Sequence, residues 1–405
     1  MARLRPRPLH LARRGVQVAF LALTLIAVFV LGANAEVWCP FGGVEAAYEY
    51  ITEGTMLCSL GVANFFVLAS VLVMTLLLRR VFCGYVCPLG TISELLQEGA
   101  ERLGLKPRDV GPRTDAVLRL LKYPVLVFIL WISWRAAELL FRGFDPIYAL
   151  ISRHGKDITV WAYVVLGAIV VSSLFVRIPF CRWLCPMAAV MNPLSRFGVV
   201  RLRRHEDPCT GCGLCDKACP VAIPVSEIGV VDHARCYTCL ECVEACPPKA
   251  AGSLTLELPR SLGARRLPQA SVVAAVLVLI SMAAVADQLW PLPSFVKERG
   301  ERPDVVGRVE LEVTGITCRG SSSALWNHLQ RDDVYALPGF LRLETWPAGG
   351  FARVVAVYDP AEADDEAVRL AITGAGINAA GDWVVPDYRI RGYDPFGLGL
   401  PDEEP

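Results

Sequence analysis

The chain has 405 residues, of which 54% are hydrophobic and 20% charged, and it carries no net charge at pH 7. This apolar excess, with a mean hydropathy of +0.43, is high for a soluble protein and predicts several membrane spans. No segment combines a basic face with stacking aromatics, which argues against nucleic-acid binding. Fifteen cysteines in short, regular spacings are typical of metal ligands rather than of a small secreted disulfide scaffold.

Five apolar runs are long enough to cross a bilayer, which requires about 20 helical residues. Arginine and lysine concentrate before the first run, between the second and third, and after the fourth. The loop after the first run has four glutamates and no Lys or Arg. By the positive-inside rule, the N-terminus is predicted to be cytoplasmic and the C-terminus periplasmic, in a bacterial inner membrane. The runs are 16–33, 60–78, 120–140, 158–176 and 268–289.

The first run has a second interpretation. It also fits a signal peptide with Ala33, Asn34 and Ala35 at the cleavage site, and the following loop is outside in either case. Arg13 and Arg14 are not followed by the Phe and Leu of a twin-arginine export signal. They are therefore interpreted as ordinary charge flanking a membrane helix.

A nine-residue motif occurs twice, as FCGYVCPLG after the second run and FCRWLCPMA after the fourth. Residues 1–200 are therefore predicted to be a membrane domain of two repeated helical hairpins, each with a C-x3-C-P motif at the cytoplasmic face. Parallel repeats commonly build a site at their interface, so the four thiols could form a third metal or redox centre. Nearby basic residues are expected to lower their pKa. Alternatively, the prolines end helices and the cysteines are inert packing residues. The four are Cys83, Cys87, Cys181 and Cys185.

Residues 201–260 contain the pattern C-x2-C-x2-C-x3-C-P twice. Three closely spaced thiolates wrap one [4Fe-4S] cluster, and the fourth cysteine, before a proline, ligates the other cluster. Two structural zinc sites are the alternative, but zinc ligand pairs usually lie further apart in sequence. Gly211 and Gly213 allow a close turn around the first cluster. Cys209, Cys212, Cys215 and Cys246 are assigned to one cluster, and Cys236, Cys239, Cys242 and Cys219 to the other.

Beyond this insert the hydrophobic patterns follow one another as β-α-β-β-α-β, the ferredoxin-like split unit. The last predicted strand is AGDWVVP, at residues 380–386. The fold class is thus an α-helical membrane protein of about five transmembrane helices with a double [4Fe-4S] ferredoxin insert and a C-terminal α+β domain. The boundaries are 261–290 for the fifth transmembrane helix, 291–307 for a linker, 308–390 for the domain and 391–405 for an acidic tail.

Three further cysteines are candidate redox thiols. Cys39 and Cys58 share the outer loop, where they form a structural disulfide, a redox pair or unpaired thiols. Cys318 lies in GITCRGSS, which resembles the heavy-metal-associated motif whose two thiolates hold Cu(I), but Ser321 stands at the second cysteine position. Cys318 could meet a partner thiol, pair within the chain or be a relic. The five scattered histidines supply no facing pair, so no membrane haem is expected.

Residues 16–248, with apolar runs, two C-x3-C-P motifs and a double ferredoxin, resemble the membrane-bound polyferredoxin family. Its members include NapH-like quinol dehydrogenase subunits of periplasmic nitrate reductase systems and integral proteins of nitrous-oxide reduction and cytochrome oxidase assembly. The resemblance implies electron transfer between the quinone pool or a cytoplasmic donor and a redox partner at the outer face. The outer C-terminal domain is more similar to the oxidase-assembly (CcoG-like) branch, which is linked to copper reduction.

Three functions follow as hypotheses. The first is an oxidoreductase subunit that connects quinol, in the bilayer, to redox partner proteins on either side. The second is a maturation factor that reduces copper or protein thiols outside. The third is a metal-binding or sensing protein whose clusters are structural. Direction of electron flow and the partner enzyme are not encoded in any motif.

Overall fold

The computed structural model describes most of the chain. The described residues are 8–30, 39–53, 63–105, 110–136, 145–151, 159–259, 265–290, 293, 295–300, 303, 305–317, 319–330, 337–347, 350–377, 383–384 and 387–394. They divide into two compact units. Unit 1 comprises Met1–Phe41 and Phe66–Ala286, and unit 2 comprises Gly42–Phe65 and Asp287–Pro405.

The helices are numbered in chain order. They are α1 (Pro8–Phe29), α2 (Pro40–Glu53), α3 (Ala63–Leu78), α4 (Val81–Tyr85), α5 (Pro88–Arg102), α6 (Pro112–Leu118), α7 (Lys122–Ala136), α8 (Pro146–Ile151), α9 (Val160–Phe175), α10 (Pro179–Trp183), α11 (Pro186–Ser195), α12 (Leu214–Ala218), α13 (Glu241–Glu244), α14 (Ala270–Leu289), α15 (Arg319–His328) and α16 (Asp365–Thr373). The strands are β1 (Arg201–Arg204), β2 (Val230–Val231), β3 (Leu254–Glu257), β4 (Arg266–Leu267), β5 (Phe295–Glu298), β6 (Gly307–Val313), β7 (Phe340–Trp346), β8 (Ala352–Tyr358), β9 (Gly376–Ile377) and β10 (Trp383–Val384).

Among the described residues, one helix is both long and apolar enough to cross a membrane. It is the segment Leu9–Phe29 of α1, with 21 residues. The apolar segments Asn64–Leu78, Val160–Phe175 and Ala270–Ala286 are shorter. Length and composition therefore identify one of the five predicted spans, and the other four stay predictions.

The two C-x3-C-P motifs have the same local structure. Each follows a long apolar helix, α3 or α9, and spans a five-residue helix, α4 or α10, and the start of the next helix, α5 or α11. Cys87 N–H donates to the Phe82 carbonyl at 3.1 Å, and Cys185 N–H donates to the Phe180 carbonyl at 2.9 Å. The two motifs thus adopt the same turn.

The prolines of these motifs begin helices, so the alternative that they end them is wrong. Pro88 and Pro186 occupy the first turn of α5 and α11, after Cys87 and Cys185 in extended backbone. Proline suits this position because its fixed φ fits the helix and no N–H donor is lost there. The second cysteine of each motif is therefore the cap residue of a helix.

The ferredoxin insert is built around a small antiparallel sheet with the strand order β2-β1-β3-β4. Strands β1 and β3 pair from Arg201 with Glu257 to Arg204 with Leu254. All eight ferredoxin cysteines lie on the segment between these two strands, on loops and on the short helices α12 and α13. The sheet thereby closes the segment that carries them.

Unit 2 contains a four-stranded antiparallel sheet with the order β5-β7-β8-β6 and the helices α15 and α16. Alternating residues of β6, including Val309, Leu311 and Val313, are buried in its core. Leu325 and Ile372, from the two helices, belong to the same core. The first five elements of the predicted β-α-β-β-α-β order are therefore present, as β6, α15, β7, β8 and α16.

The predicted linker and last strand of this domain need correction. Phe295–Glu298, within the predicted linker 291–307, is strand β5 and pairs with β7. Of the predicted strand 380–386, Trp383–Val384 pairs with Gly376–Ile377 in a separate two-stranded sheet, and the rest lies outside the described residues. The edge of β7 needs a hydrogen-bonding partner, and β5 supplies it while burying Phe295.

Candidate metal centres

Four ferredoxin cysteines share one cavity in unit 1. Its other walls are mainly apolar and include Val221, Ile223 and Leu256. Ile223 N–H donates to the Sγ of Cys219 at 3.4 Å. The cavity combines the Cys-x2-Cys-x2-Cys loop of the second motif with the last cysteine of the first, as the interlocked pattern predicts. These cysteines are Cys219, Cys236, Cys239 and Cys242.

The loop around this cavity fits an anionic cluster. Thr238 and Leu240 have φ of 52° and 63°, in the left-handed region that turns successive N–H groups towards one side. The backbone N–H of Thr238 donates a hydrogen bond to the sulfur of Cys236, and that of Glu241 donates one to the sulfur of Cys239. Burial raises the pKa of the Cys242 thiol well above its ordinary value. Thiolates here therefore require positive charge, which an iron core supplies.

The other four ferredoxin cysteines lie nearer the surface. Cys212 is exposed, and Cys209, Cys215 and Cys246 are half-buried. The loop between Cys209 and Cys215 contains the predicted glycines, Gly211 and Gly213, with φ of 65° and 66°. Both lie in the left-handed region, where glycine avoids the Cβ penalty.

The four C-x3-C-P cysteines come together on the wall of a second cavity of about 430 Å³, built by unit 1 alone. Most of the wall is apolar, with Val67, Met74 and Met187 among its residues. Cys39 lines the same cavity. The repeat thus gathers four thiols from two segments that lie about 100 residues apart in the sequence. They are Cys83, Cys87, Cys181 and Cys185.

At three of these thiols, burial outweighs the expected effect of nearby basic residues, and the pKa is raised rather than lowered. Burial raises the pKa of Cys87 and Cys181 and raises that of Cys185 to about 11. Arg80 opposes this effect at Cys181 and Cys185, but desolvation of the thiolate outweighs it. Burial thus disfavours the thiolate form of Cys87, Cys181 and Cys185 unless a positive charge compensates it.

The cavity lined by Cys219 and by the loop 236–242 is called the inner cage. Its loop, the inner ferredoxin loop, packs directly on the first C-x3-C-P motif. A Cβ added to Gly84 would lie 2.3 Å from the Tyr237 ring. Tyr85 Oη donates to the Thr238 carbonyl at 3.3 Å, and Thr238 Oγ1 donates to the Leu78 carbonyl at 2.7 Å. The two cysteine-rich regions therefore share one interface.

A buried ion-pair network, not predicted from the sequence, stabilises this interface. Arg13 is 1% exposed, and its Nη2 lies 2.6 Å from both carboxylate oxygens of Glu94. Arg13 Nε donates to the Gly84 carbonyl at 3.0 Å, and Tyr237 Oη donates to Glu94 Oε1 at 3.0 Å. The interpretation of Arg13 as flanking charge is therefore wrong. The helix after the first motif, α5, contains three glutamates, and nothing in the sequence distinguishes Glu94 as the partner of Arg13.

Two predicted redox thiols, Cys58 and Cys318, lie outside the described residues, so their pairing with Cys39 stays a prediction. Ser321, at the position of the second heavy-metal ligand, accepts a hydrogen bond through Oγ from the Thr317 N–H at 3.0 Å. This contact joins Thr317 to the first turn of α15.

Comparison with known proteins agrees with both cysteine patterns. A family model described as a 4Fe-4S binding domain matches residues 60–106 and 158–205, and one described as a 4Fe-4S dicluster domain matches residues 201–247. The first model matches once around each C-x3-C-P motif. Both models end before the C-terminal domain and give its heavy-metal resemblance no support. No solved structure matches the chain.

Several curated proteins are similar over part of the chain. YccM of Escherichia coli (strain K12), a candidate electron transport protein, is 32% identical over 55% of this chain and 64% of its own. MJ0750 of Methanocaldococcus jannaschii, an uncharacterized protein, is 29% identical over 56% of this chain and 90% of its own. The ferredoxin-type protein NapH of Haemophilus influenzae is 25% identical over 42% and 60%. The chain thus spans less than two thirds of the length of YccM and NapH.

The cysteine sites and the family matches define an iron–sulfur protein that binds [4Fe-4S] clusters. The predicted relationship to the NapH-like ferredoxin-type proteins is confirmed.

Proposed function

We propose that the chain is a membrane-bound electron carrier that exchanges single electrons between its cytoplasmic ferredoxin insert and quinone in the cavity of unit 1. The observation that carries this proposal is the shared interface of the two sites, where Gly84 packs on Tyr237. The helix Leu9–Phe29 and the three shorter apolar helices support the membrane location. The five spans, the cytoplasmic N-terminus and a periplasmic redox partner belong to the same proposal.

The chain's own residues have distinct tasks in this proposal. Cys219 crosses from the first motif to the second cage, which fixes the two cages relative to each other. When bound, a [4Fe-4S] cluster takes up and releases one electron. The buried apolar wall around Cys236 and Cys242 excludes water and sets the environment of that cluster. Arg13 and Glu94 hold the loop against the helical domain.

The cavity has the dimensions and chemistry of a site for an apolar ring. Its volume of about 430 Å³ falls within the usual range of small-molecule sites, about 300–1,000 Å³. Its wall contains methionines, aliphatic side chains and Phe82, with few polar groups such as Thr24 and Ser70. A quinone ring is flat, apolar and takes one electron at a time, so it suits such a wall.

The test is oxidation of the reduced clusters by quinone. Full-length protein in liposomes is reduced anaerobically, freed of excess reductant and mixed with a short-chain quinone analogue while cluster absorbance is followed. Rapid reoxidation is expected, and the variant Ala27→Trp, which fills the cavity, should slow it at least tenfold. Ala22→Trp is the matched control, because Ala22 is exposed on the same helix and does not line the cavity. Equal rates for the two variants would contradict the quinone assignment.

A second candidate is reduction of copper or protein thiols at the periplasmic face. It is favoured by one observation, which is that Cys39, from the predicted outer loop, lines the same cavity as the C-x3-C-P cysteines. The test is the rate at which reduced protein in liposomes reduces external Cu(II). A Cys39→Ser variant that keeps the wild-type rate would remove this candidate.

A further inference from the structure

The four C-x3-C-P cysteines and the buried cation beside them form a site outside the ferredoxin insert. We propose that they hold a third iron–sulfur cluster, at the wall of the 430 Å³ cavity. This inference deepens the proposed function, because it adds a carrier between the inner ferredoxin cage and that cavity. The ligands are Cys83, Cys87, Cys181 and Cys185.

The ligand set is preorganised by the fold. Both motifs adopt the same turn, with the second cysteine capping a helix that begins at proline. The turns lie on rigid elements, since Thr91 N–H donates to the Cys87 carbonyl at 3.0 Å and Ala189 N–H to the Cys185 carbonyl at 3.3 Å. Two such turns, related by the repeat, each provide two thiols to one cavity. Four cysteine thiolates are the usual ligands of an iron–sulfur cluster.

Arg80 indicates that negative charge belongs in this site. It is 2% exposed, and its Nη2 lies 3.9 Å from Cys83 Sγ and donates to the Cys181 carbonyl at 3.3 Å. Its Nε has no hydrogen-bond partner. No carboxylate of the described residues forms an ion pair with it. A buried guanidinium without an anion is costly, so an anionic cluster at the thiols would stabilise it.

A second buried cation completes the charge balance. Lys122 is 3% exposed, its Nζ donates to the Arg182 carbonyl at 3.2 Å, and it interacts electrostatically with Cys83 and Cys185. Four thiolates around a doubly positive cluster core leave two negative charges. Arg80 and Lys122 match these two charges.

The test is the iron and acid-labile sulfide content of full-length protein, purified anaerobically in detergent. About 12 iron atoms per chain are expected if the third cluster is [4Fe-4S], and about ten if it is [2Fe-2S], against about eight for the ferredoxin insert alone. The double variant Cys83→Ser/Cys181→Ser should lose the excess and keep about eight. Cys39→Ser, in the same cavity wall, is the matched control and should lose none.

Wild-type protein with about eight iron atoms, or with zinc at the C-x3-C-P site, would overturn the inference while leaving the proposed function intact. Wild-type protein without iron would overturn both. Because the double variant could fail to fold, Arg80→Gln provides a second measurement by EPR of the reduced protein. It should change or abolish one cluster signal and leave two unchanged, and an unaltered spectrum would contradict the role of Arg80.

Discussion

Gly84 of the first C-x3-C-P motif packs against Tyr237 of the ferredoxin insert, so Gly84→Ala tests the interface. The new Cβ would lie 2.3 Å from Cδ2 and 2.8 Å from Cε2 of Tyr237. The ring has little room to move, because Tyr237 is 3% exposed and its hydroxyl is bonded to Glu94. Overpacking of this kind costs about 1–3 kcal/mol.

This cost should be visible as a lower melting temperature. At about 2–4 °C per kcal/mol, a midrange cost of about 2 kcal/mol lowers the Tm by about 4–8 °C. The assay follows loss of cluster absorbance on heating in detergent. Gly99→Ala is the control, since a Cβ there contacts nothing within 4 Å in the interior of α5 and should stabilise by about 0.5–1 kcal/mol.

An unchanged Tm for Gly84→Ala would refute the close packing of Gly84 on Tyr237. A double variant gives a sharper result, because Tyr237→Ala removes the clashing ring. In combination with Tyr237→Ala, the Gly84→Ala change should cost little, so the two effects are expected to be non-additive. Additive losses of Tm would show that the effect of Gly84→Ala does not arise from contact with Tyr237.

Three further predictions concern separate parts of the chain. Cys219→Ser should remove the cluster of the inner cage and leave the other one, as counted by EPR, and loss of neither would refute the interlocked assignment. Burial alone would raise the Glu94 pKa, but Arg13 holds it below the ordinary value. That stabilisation is complete above a pH of about 4.3 and is lost on further acidification, so the Tm should fall there in wild type and less in Glu94→Gln. Phe295→Ala should destabilise unit 2 by about 3–5 kcal/mol, measured by limited proteolysis, with unchanged iron content; equal proteolysis would argue against β5.

The ferredoxin sites could be predicted from the sequence because their ligands are local. Three thiols within seven residues can wrap one cluster whatever the rest of the chain does, and Gly211 and Gly213 have the left-handed φ that such a turn needs. The repeated C-x3-C-P motif was equally clear, since its turn is fixed by hydrogen bonds within six residues, such as Cys87 to Phe82.

Only the tertiary structure decided which distant groups meet and how deeply they are buried. The thiols of the repeat were expected to be acidic, but packing around Cys185 removes water and raises its pKa. Arg13 was interpreted as flanking charge, yet its partner Glu94 lies 81 residues away and the pair is buried. The segment of β5 was predicted to be a linker, because its strand conformation depends on pairing with the open edge of β7 and not on its own sequence pattern. Local spacing thus specifies ligands, whereas burial and charge pairing depend on contacts that no short segment of the chain contains.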